Sequence, residues 1–295
     1  MFLIFTEDDG WHTNQLLEIF KHRKKDVIKA KLNQSSIILD KNPRLIIETK
    51  EYFLDDIEGV FVRGVHGGTL EEVCFYLDVL HFLESNKIIV YNNVSSIEKS
   101  VDKVRTSSIL RTNNIPTPNT YITSNIKDFQ KFRDSFIDNI CVIKPIFGSQ
   151  GKGLELLGKD NRHPDYENLN KVYYVQEFLK SPGKTYKDWR LFIIKDQVIS
   201  SMEREADTWI TNFARGGKCK LFIPSFDIKE LAIRASLVLG MDYAGVDIML
   251  DDNGYTVTEV NSIPAWKGLQ SVTFDKNIAE LIINDFFTIC QETSN

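Results

Sequence analysis

The sequence predicts an α/β (α+β) protein in which a small open sheet is followed by antiparallel ribbons. Over the first hundred residues, strand-like and helix-like stretches alternate, the order of an open sheet covered by helices. Later segments come as pairs of apolar, β-rich arms joined by short polar turns, the mark of hairpins. The clearest pair runs from Asp247 to Asn261, with Asp252-Asn253-Gly254 between its arms.

In the first part, strands are expected at Phe2–Phe5, Ser36–Leu39, Leu45–Ile47, Gly59–Arg63 and Ile88–Tyr91. Amphipathic helices are expected at Asn14–His22, with Leu16, Leu17, Ile19 and Phe20 inward, and at Leu70–Leu83 behind a Thr69 cap. Arg63-Gly64-Val65-His66-Gly67-Gly68 leaves a strand and enters that second helix, where ligands of open sheets collect, although a plain Gly-rich connection would read the same way.

Ser95 to Asn114 reads as one helix carrying Lys103, broken by Ile115-Pro116-Thr117-Pro118 at a domain boundary. A helix from Ile126 to Phe136 and a strand Cys141–Pro145, bearing Lys144, follow. Phe147-Gly148-Ser149-Gln150-Gly151-Lys152-Gly153 is then a Gly-rich hairpin cover whose backbone N–H groups could close over phosphates. It lacks the P-loop order, and a strand rather than a helix follows. Val172–Leu179 reads as a buried strand. Asp188–Ile194 and Gln197–Arg204 form a second hairpin, turned at Lys195-Asp196. That places Arg190 and Arg204 in an apolar sheet, where each must face an anion or a partner carboxylate, Asp188 and Glu205 being the local choices. A polar loop, Thr211–Gly217, and helices at Asp227–Leu239 and Asp275–Cys290 complete the chain.

The late hairpin carries the chemistry. A three-residue loop would set Asp247 opposite Glu259, and Asn261, two residues on, would leave the same face. Two carboxylates and an amide oxygen are hard ligands suited to Mg²⁺, with Mn²⁺ as its substitute. A two-residue turn would move Asp247 to the other face, leaving an ordinary hairpin with scattered acids.

Composition narrows the function classes. Of 295 residues, 42% are hydrophobic and 26% charged, ordinary for a soluble chain of two or three packed units. A net charge of -5 gives no basic field to recruit nucleic acid. The start is too short for a signal peptide, and no apolar run approaches the ~20 residues of a membrane helix, so a cytoplasmic location is expected. Cys74, Cys141, Cys219 and Cys290 are widely spaced and read as reduced packing residues. No serine elbow or Cys/His constellation supports a protein nucleophile.

Taken in order, these pieces resemble the ATP-grasp carboxylate–amine ligases, and most closely the RimK-like glutamate ligases. The motifs are Val101-Asp102-Lys103, Val142-Ile143-Lys144-Pro145, Gly148–Gly153, Gln176-Glu177-Phe178-Leu179, Asp188-Trp189-Arg190, Ala244-Gly245-Val246-Asp247 and Glu259-Val260-Asn261-Ser262. Each is weak singly; seven in register are specific. The resemblance implies an N-terminal α/β domain (1–95), a central lid (96–183) and a C-terminal antiparallel-sheet domain (184–295). It also implies ATP held by Lys103, Lys144, Gly148, Ser149, Gln150, Gly151 and Gly153, with Gln176, Glu177, Phe178, Leu179 and Asp188 around the nucleotide. Asp247, Glu259 and Asn261 would hold Mg²⁺; Arg204, Arg190 and Lys144 would serve the phosphoryl transfer; and Asn212, Arg215 and Arg63 would face substrate.

The chemistry suits those residue types. A carboxylate acylates an amine only after a phosphoryl group turns its oxygen into a leaving group. That transfer needs charge neutralisation and alignment rather than a nucleophile on the protein. Alignment of two bound reactants can be worth roughly 7–11 kcal/mol. The resemblance therefore implies glutamate and a carboxylate-bearing acceptor as partners, no nucleic acid or membrane, and room for a homo-oligomer, dimer or tetramer. Asn261-Ser262-Ile263-Pro264-Ala265-Trp266-Lys267-Gly268 departs from the usual pattern after the metal strand. With Trp11-His12-Thr13 and Val62-Arg63-Gly64, it looks more like the branch that glutamylates a pterin one-carbon carrier. A ligase acting on a protein C-terminus, a phosphotransferase and a non-catalytic ATP-binding module are the competing expectations.

Overall fold

A computed structural model describes residues 1–135, 140–148, 153–158, 171–180, 183, 185–213, 216–252 and 254–293. Its contacts group into two compact units: 1–97 with 241–243 and 263–295, and 98–240 with 244–262. The opening run of the first unit ends at Ile97, and 263–295 group with it.

In the first unit, β1 (Phe2–Phe5), β2 (Val27–Ala30), β6 (Gly59–Val62) and β7 (Val90–Tyr91) form a parallel sheet in the order β2-β1-β6-β7. The strands β3 (Ser35–Ile38), β4 (Arg44–Ile47) and β5 (Lys50–Phe53) form a separate antiparallel meander. Two segments expected in the open sheet, 36–39 and 45–47, thus belong to the meander. Val27–Ala30, which was not expected, takes an edge of the sheet. It is half-exposed and carries Lys29, so its hydrophobic signal is weak. The helices α1 (Trp11–His22) and α2 (Leu70–Ser85) follow β1 and β6. At the start of α2, Thr69 and Glu72 form a reciprocal capping box, with the Thr69 hydroxyl accepting from Glu72 N at 3.2 Å and Glu72 Oε2 accepting from Thr69 N at 2.7 Å.

The helix expected over 95–114 is two helices, α3 (Val94–Val101) and α4 (Lys103–Thr112). Asp102 breaks the run because its Oδ1 accepts from the N–H groups of Val104 (2.8 Å) and Arg105 (3.1 Å), capping the second helix. Lys103 therefore sits in a first helical turn, beside the interruption, rather than mid-helix.

The second unit holds two antiparallel sheets. The smaller runs β10 (Glu155–Leu157), β9 (Cys141–Lys144), β11 (Tyr173–Glu177), β8 (Thr120–Thr123), with α5 (Ile126–Arg133) against it. Phe129 of that helix stacks on Tyr173 at 4.5 Å and packs with buried Cys141, Ile143, Leu157 and Val175. Each such side chain contributes about 1.5–3 kcal/mol by leaving water. The larger sheet runs β14 (Lys218–Leu221), β13 (Gln197–Ala206), β12 (Tyr186–Ile194), β15 (Tyr243–Asp251), β16 (Gly254–Asn261), with α6 (Phe226–Val238) preceding β15. The turn at Lys195-Asp196 is as expected, with Lys195 at φ 53. After β16 the chain re-enters the first unit through a short α7 (Lys267–Gln270) and then α8 (Ile278–Thr293). Phe286 and Phe287 of that last helix pack on Phe2, with ring centroids 5.6 and 5.1 Å away. Among the described residues, no helix is long and apolar enough to cross a membrane.

Candidate active site

The late hairpin pairs Asp247 with Glu259, as expected, but by another route. Asp251 pairs with Gly254, so the connection is a two-residue turn rather than a three-residue loop. Gly254 carries φ 118, a backbone setting that disfavours any side chain. That turn alone would bring Thr258 opposite Asp247. A β-bulge at this point inserts one residue into β16, since Ile248 pairs with Val257 while Asp247 pairs with Glu259. Thr258 is the extra residue, and its hydroxyl donates to the Asp247 carbonyl at 3.3 Å.

Thr258 and Glu259 line an open cleft together with Lys103, Lys144, Gly148 and Asn212. The cleft thus gathers both expected lysines, the start of the glycine segment, one of the expected metal ligands and one expected substrate residue. Ser100, Thr106, Ser107 and Tyr174 also line it and were missed from the sequence. They carry no motif, and only the pairing of β11 with β9, which sets Tyr174 beside Lys144, brings Tyr174 there. The Tyr174 hydroxyl lies 2.6 Å from Ser107 Oγ.

Electrostatics follow from burial. Lys144 is pushed down to about 8, first because burial disfavours its charge and then by neighbouring Lys103, against the pull of Glu259. Burial likewise lowers Lys103, while Glu259 and Asp102 favour its charge. Lys103 Nζ donates to the carbonyls of Gly148 (2.8 Å) and Ile146 (3.3 Å), fastening the base of the glycine segment. Of the expected phosphate cover, Ser149, Gln150 and Gly151 lie outside the described residues, as does Arg215. Gly153 has φ +71, and a Cβ there would stand 3.2 Å from the Pro145 ring.

Behind the cleft lies a buried charge network. Arg190 makes two bonds to Asp247, Nε to Oδ1 and Nη2 to Oδ2, both 2.6 Å. Arg204, 2% exposed, donates Nε to Asp188 Oδ1 at 2.6 Å and Nη2 to Asp188 Oδ2 at 2.5 Å, and its Nη2 also reaches Asp247 Oδ2 at 2.9 Å. The Thr211 hydroxyl donates to Asp188 Oδ2 at 2.7 Å, which fixes the residue before Asn212. Burial opposes ionisation of Asp247, but Arg190 and Arg204 outweigh it and hold the carboxyl down to about 2. Burial would also lower Arg204, yet Asp247 and Asp188 keep its proton affinity above the usual arginine range. The expected local partner Asp188 is thus the one Arg204 takes, and Glu205 instead meets Lys220 at 2.7 Å.

The residues expected around the nucleotide base lie at the end of β11, outside the lining of the cleft. Gln176 is buried and donates from Nε2 to Thr120 Oγ1 (3.0 Å) and the Tyr174 hydroxyl (3.2 Å). Glu177 Oε2 accepts from Asn119 Nδ2 at 2.9 Å, Phe178 meets Trp209 edge-on at 6.2 Å, and Leu179 is buried.

A divalent cation fits the donors present. The Glu259 carboxylate makes no hydrogen bond or ion pair among the described residues and is open to a cation, and Asn261 could add only its amide oxygen, since its buried, unpartnered Nδ2 is a donor. Asp247, by contrast, is held by arginines. Among the described residues, no three His, Cys, Asp or Glu side chains gather as a metal cage.

The architecture is that of the ATP-grasp proteins. The solved ATP-grasp ligase PsnB with its minimal precursor superposes over 100% of this chain and 98% of its own, with a TM-score of 0.73 at 17% identity. Residues 100–286 match the RimK-like ATP-grasp domain, and the chain belongs to that family. Tetrahydromethanopterin:alpha-L-glutamate ligase of Methanococcus maripaludis is 31% identical over 98% of both chains. Coenzyme gamma-F420-2:alpha-L-glutamate ligase of the same organism is 30% identical, covering 84% of this chain and 89% of its own.

Proposed function

We propose that the protein is an ATP-dependent ligase that joins L-glutamate to a carboxylate of a small cofactor acceptor, a pterin one-carbon carrier or a close chemical relative. The observation that carries this reading is the convergence of Lys103, Lys144 and Glu259 on one cleft, in a chain matched nearly end to end by a glutamate ligase acting on such a carrier. Resemblance to peptide-modifying ATP-grasp enzymes stands at 17% identity and supports the fold alone.

In this reading Lys103 and Lys144 neutralise nucleotide phosphates, and the glycine segment that begins at Gly148 closes over them. Glu259, Asn261 and Asp247 would hold Mg²⁺, which offsets phosphate charge when bound. Arg190 and Arg204 keep Asp247 ionised and aimed, and add positive charge where the phosphoryl group passes. Gln176, Glu177, Phe178 and Leu179 border the base, and Asp188 orients Arg204. Asn212, steadied through Thr211, together with Arg215, binds substrate. The acid oxygen takes the γ-phosphoryl group as ADP leaves. The glutamate amine then attacks the acyl carbon, and phosphate departs with the C–O bond. ATP and glutamate are both cytoplasmic metabolites, which fits a reaction in that compartment.

The test is release of ADP and phosphate by the purified chain with ATP, Mg²⁺, glutamate and tetrahydromethanopterin. Release that requires both glutamate and acceptor, with hydroxylamine diverting the acid to a hydroxamate, is the expected result. A stable phosphorylated product would show a phosphotransferase instead. Nucleotide binding without turnover on any acid and amine pair would show a binding module.

A further inference from the structure

The strand that carries Glu259 and Asn261 needs a hold at its far end. Asn261 is its last paired residue, opposite Gly245, and the chain leaves the sheet at Ser262. The strand is also an edge of the five-stranded sheet, with β15 as its neighbour on one side. The Asn261 side chain adds no anchor of its own, because its Nδ2 is buried without a partner among the described residues. An amide that bonds to nothing around it takes its direction from the backbone that bears it, so the backbone must be fixed by something else.

Ser100 supplies that hold. Its Oγ accepts from the backbone N–H of Ser262 at 3.2 Å and shares a hydrogen bond with the Ser262 hydroxyl at 2.6 Å. Ser262 is buried, so both bonds are shielded from water at that end. Ser100 stands in the last turn of α3, at a corner that further bonds stiffen. The Thr106 hydroxyl donates to the Lys99 carbonyl at 2.6 Å, and Asp102 caps α4. Lys103, on the same corner, grips the carbonyls of Gly148 and Ile146. One corner of the chain thus fastens the end of β16 through Ser100 and the base of the glycine segment through Lys103. Ser100 lines the cleft with Glu259, and its tether falls one residue from Asn261. Partners at that remove from a metal ligand set the ligand's orientation.

We propose that Ser100 is a positioning residue for Mg²⁺ binding, which by fixing Ser262 sets Asn261 to present its amide oxygen beside Glu259. The identity of the ligand rests on the metal assignment of the ligase reading above. Ser100 touches neither the ion nor the reacting atoms and acts through the strand end alone. Without its hydroxyl, the Ser262 N–H loses its acceptor and Asn261 is free to turn, while Glu259, set by the bulge beside it, keeps its place.

Metal binding tests this apart from turnover. Mn²⁺ is the probe, followed by loss of its free EPR signal as it is titrated into the purified chain with ADP. Ser100→Ala should weaken Mn²⁺ binding about 10-fold, the low end of the range for losing an outer partner of a metal ligand, with metal-free ADP binding within about twofold of wild type. In an Asn261→Ala chain the same substitution should add less than about twofold, because the two residues act in series. A merely structural role would weaken metal-free ADP binding as well and would add in full to Asn261→Ala. Unchanged Mn²⁺ affinity in Ser100→Ala, or its full loss on top of Asn261→Ala, overturns the proposal and leaves the metal assignment standing. A wild-type chain that takes up no Mn²⁺ with ADP overturns the metal assignment, and the proposal with it. Should Ser100→Ala fail to fold, the near-isosteric Ser100→Cys, whose thiol is a weak hydrogen-bond partner, is read by the same comparison.

Discussion

Replacing Arg204 with Met tests the buried network in the larger sheet. Arg204 supplies both bonds to Asp188, at 2.6 and 2.5 Å, whereas Asp247 keeps two bonds from Arg190 at 2.6 Å when Arg204 is gone. The damage therefore falls on Asp188, 6% exposed and left, among the described residues, with the Thr211 hydroxyl. Stranding one partner of a buried pair costs about 3–5 kcal/mol, a large part of the 5–15 kcal/mol that holds a typical domain together. Asp188→Asn should cost less, about 1.5–3 kcal/mol, because Arg204 retains Asp247 at 2.9 Å. In the double variant the stranded charge disappears, so its loss should fall short of the sum by about 2 kcal/mol or more. Urea unfolding of the four proteins at one pH, read as midpoints at constant slope, measures this. Additivity within about 0.5 kcal/mol would refute the idea that Arg204 and Asp188 act as one unit.

Further outcomes follow from single residues. Glu259→Gln should lower kcat by at least about a hundredfold while calorimetry still detects nucleotide, because Lys103 and Lys144 remain in the cleft. Gly217→Ala should disturb the Asn212 loop, since a Cβ there would lie 2.1 Å from the Thr211 carbonyl oxygen; a raised substrate KM with a lowered melting temperature is expected. His12 is pushed down to about 4, first by burial and then by Arg63, so its neutral form is favoured in the folded chain. Its contribution is fully present above about pH 6.5 and is lost as pH falls towards 4, and His12→Gln should flatten that part of the stability–pH curve.

Much of this was legible in the sequence where the signal is local. The Thr69 cap and the Lys195-Asp196 turn each depend on a few neighbouring residues, whereas the pairing of Asp247 with Glu259 was expected from a three-residue loop and arises instead from a two-residue turn and a bulge that no local signal marked. The interruption at Asp102 was legible only in hindsight, because an aspartate inside a helical run reads as a surface position until its side chain is seen turning back on the backbone. Val27–Ala30 escaped notice because an edge strand needs few apolar residues. Arg204 was expected to choose between nearby acids, and it chose Asp188; its second carboxylate, and the only one Arg190 is seen to hold, is Asp247, some forty to sixty residues away. No periodicity encodes a pairing of that length. Tyr174 is equally silent, since only sheet order brings it to the cleft, and Ser107 reaches it from α4, where its hydroxyl meets that of Tyr174.

The bulge at Thr258 makes the oxygen-bearing face of the ribbon a matter of parity. A short turn and one supernumerary residue together restore the phase that a longer turn would give unaided. Deleting Thr258 should straighten the ladder and leave Glu259 opposite Asp247, whereas drawing Thr258 into the ladder would set it opposite Asp247 and turn Glu259 and Asn261 to the other side. The side on which the oxygens stand thus depends on Thr258 remaining outside the ladder, not on the number of residues in the strand.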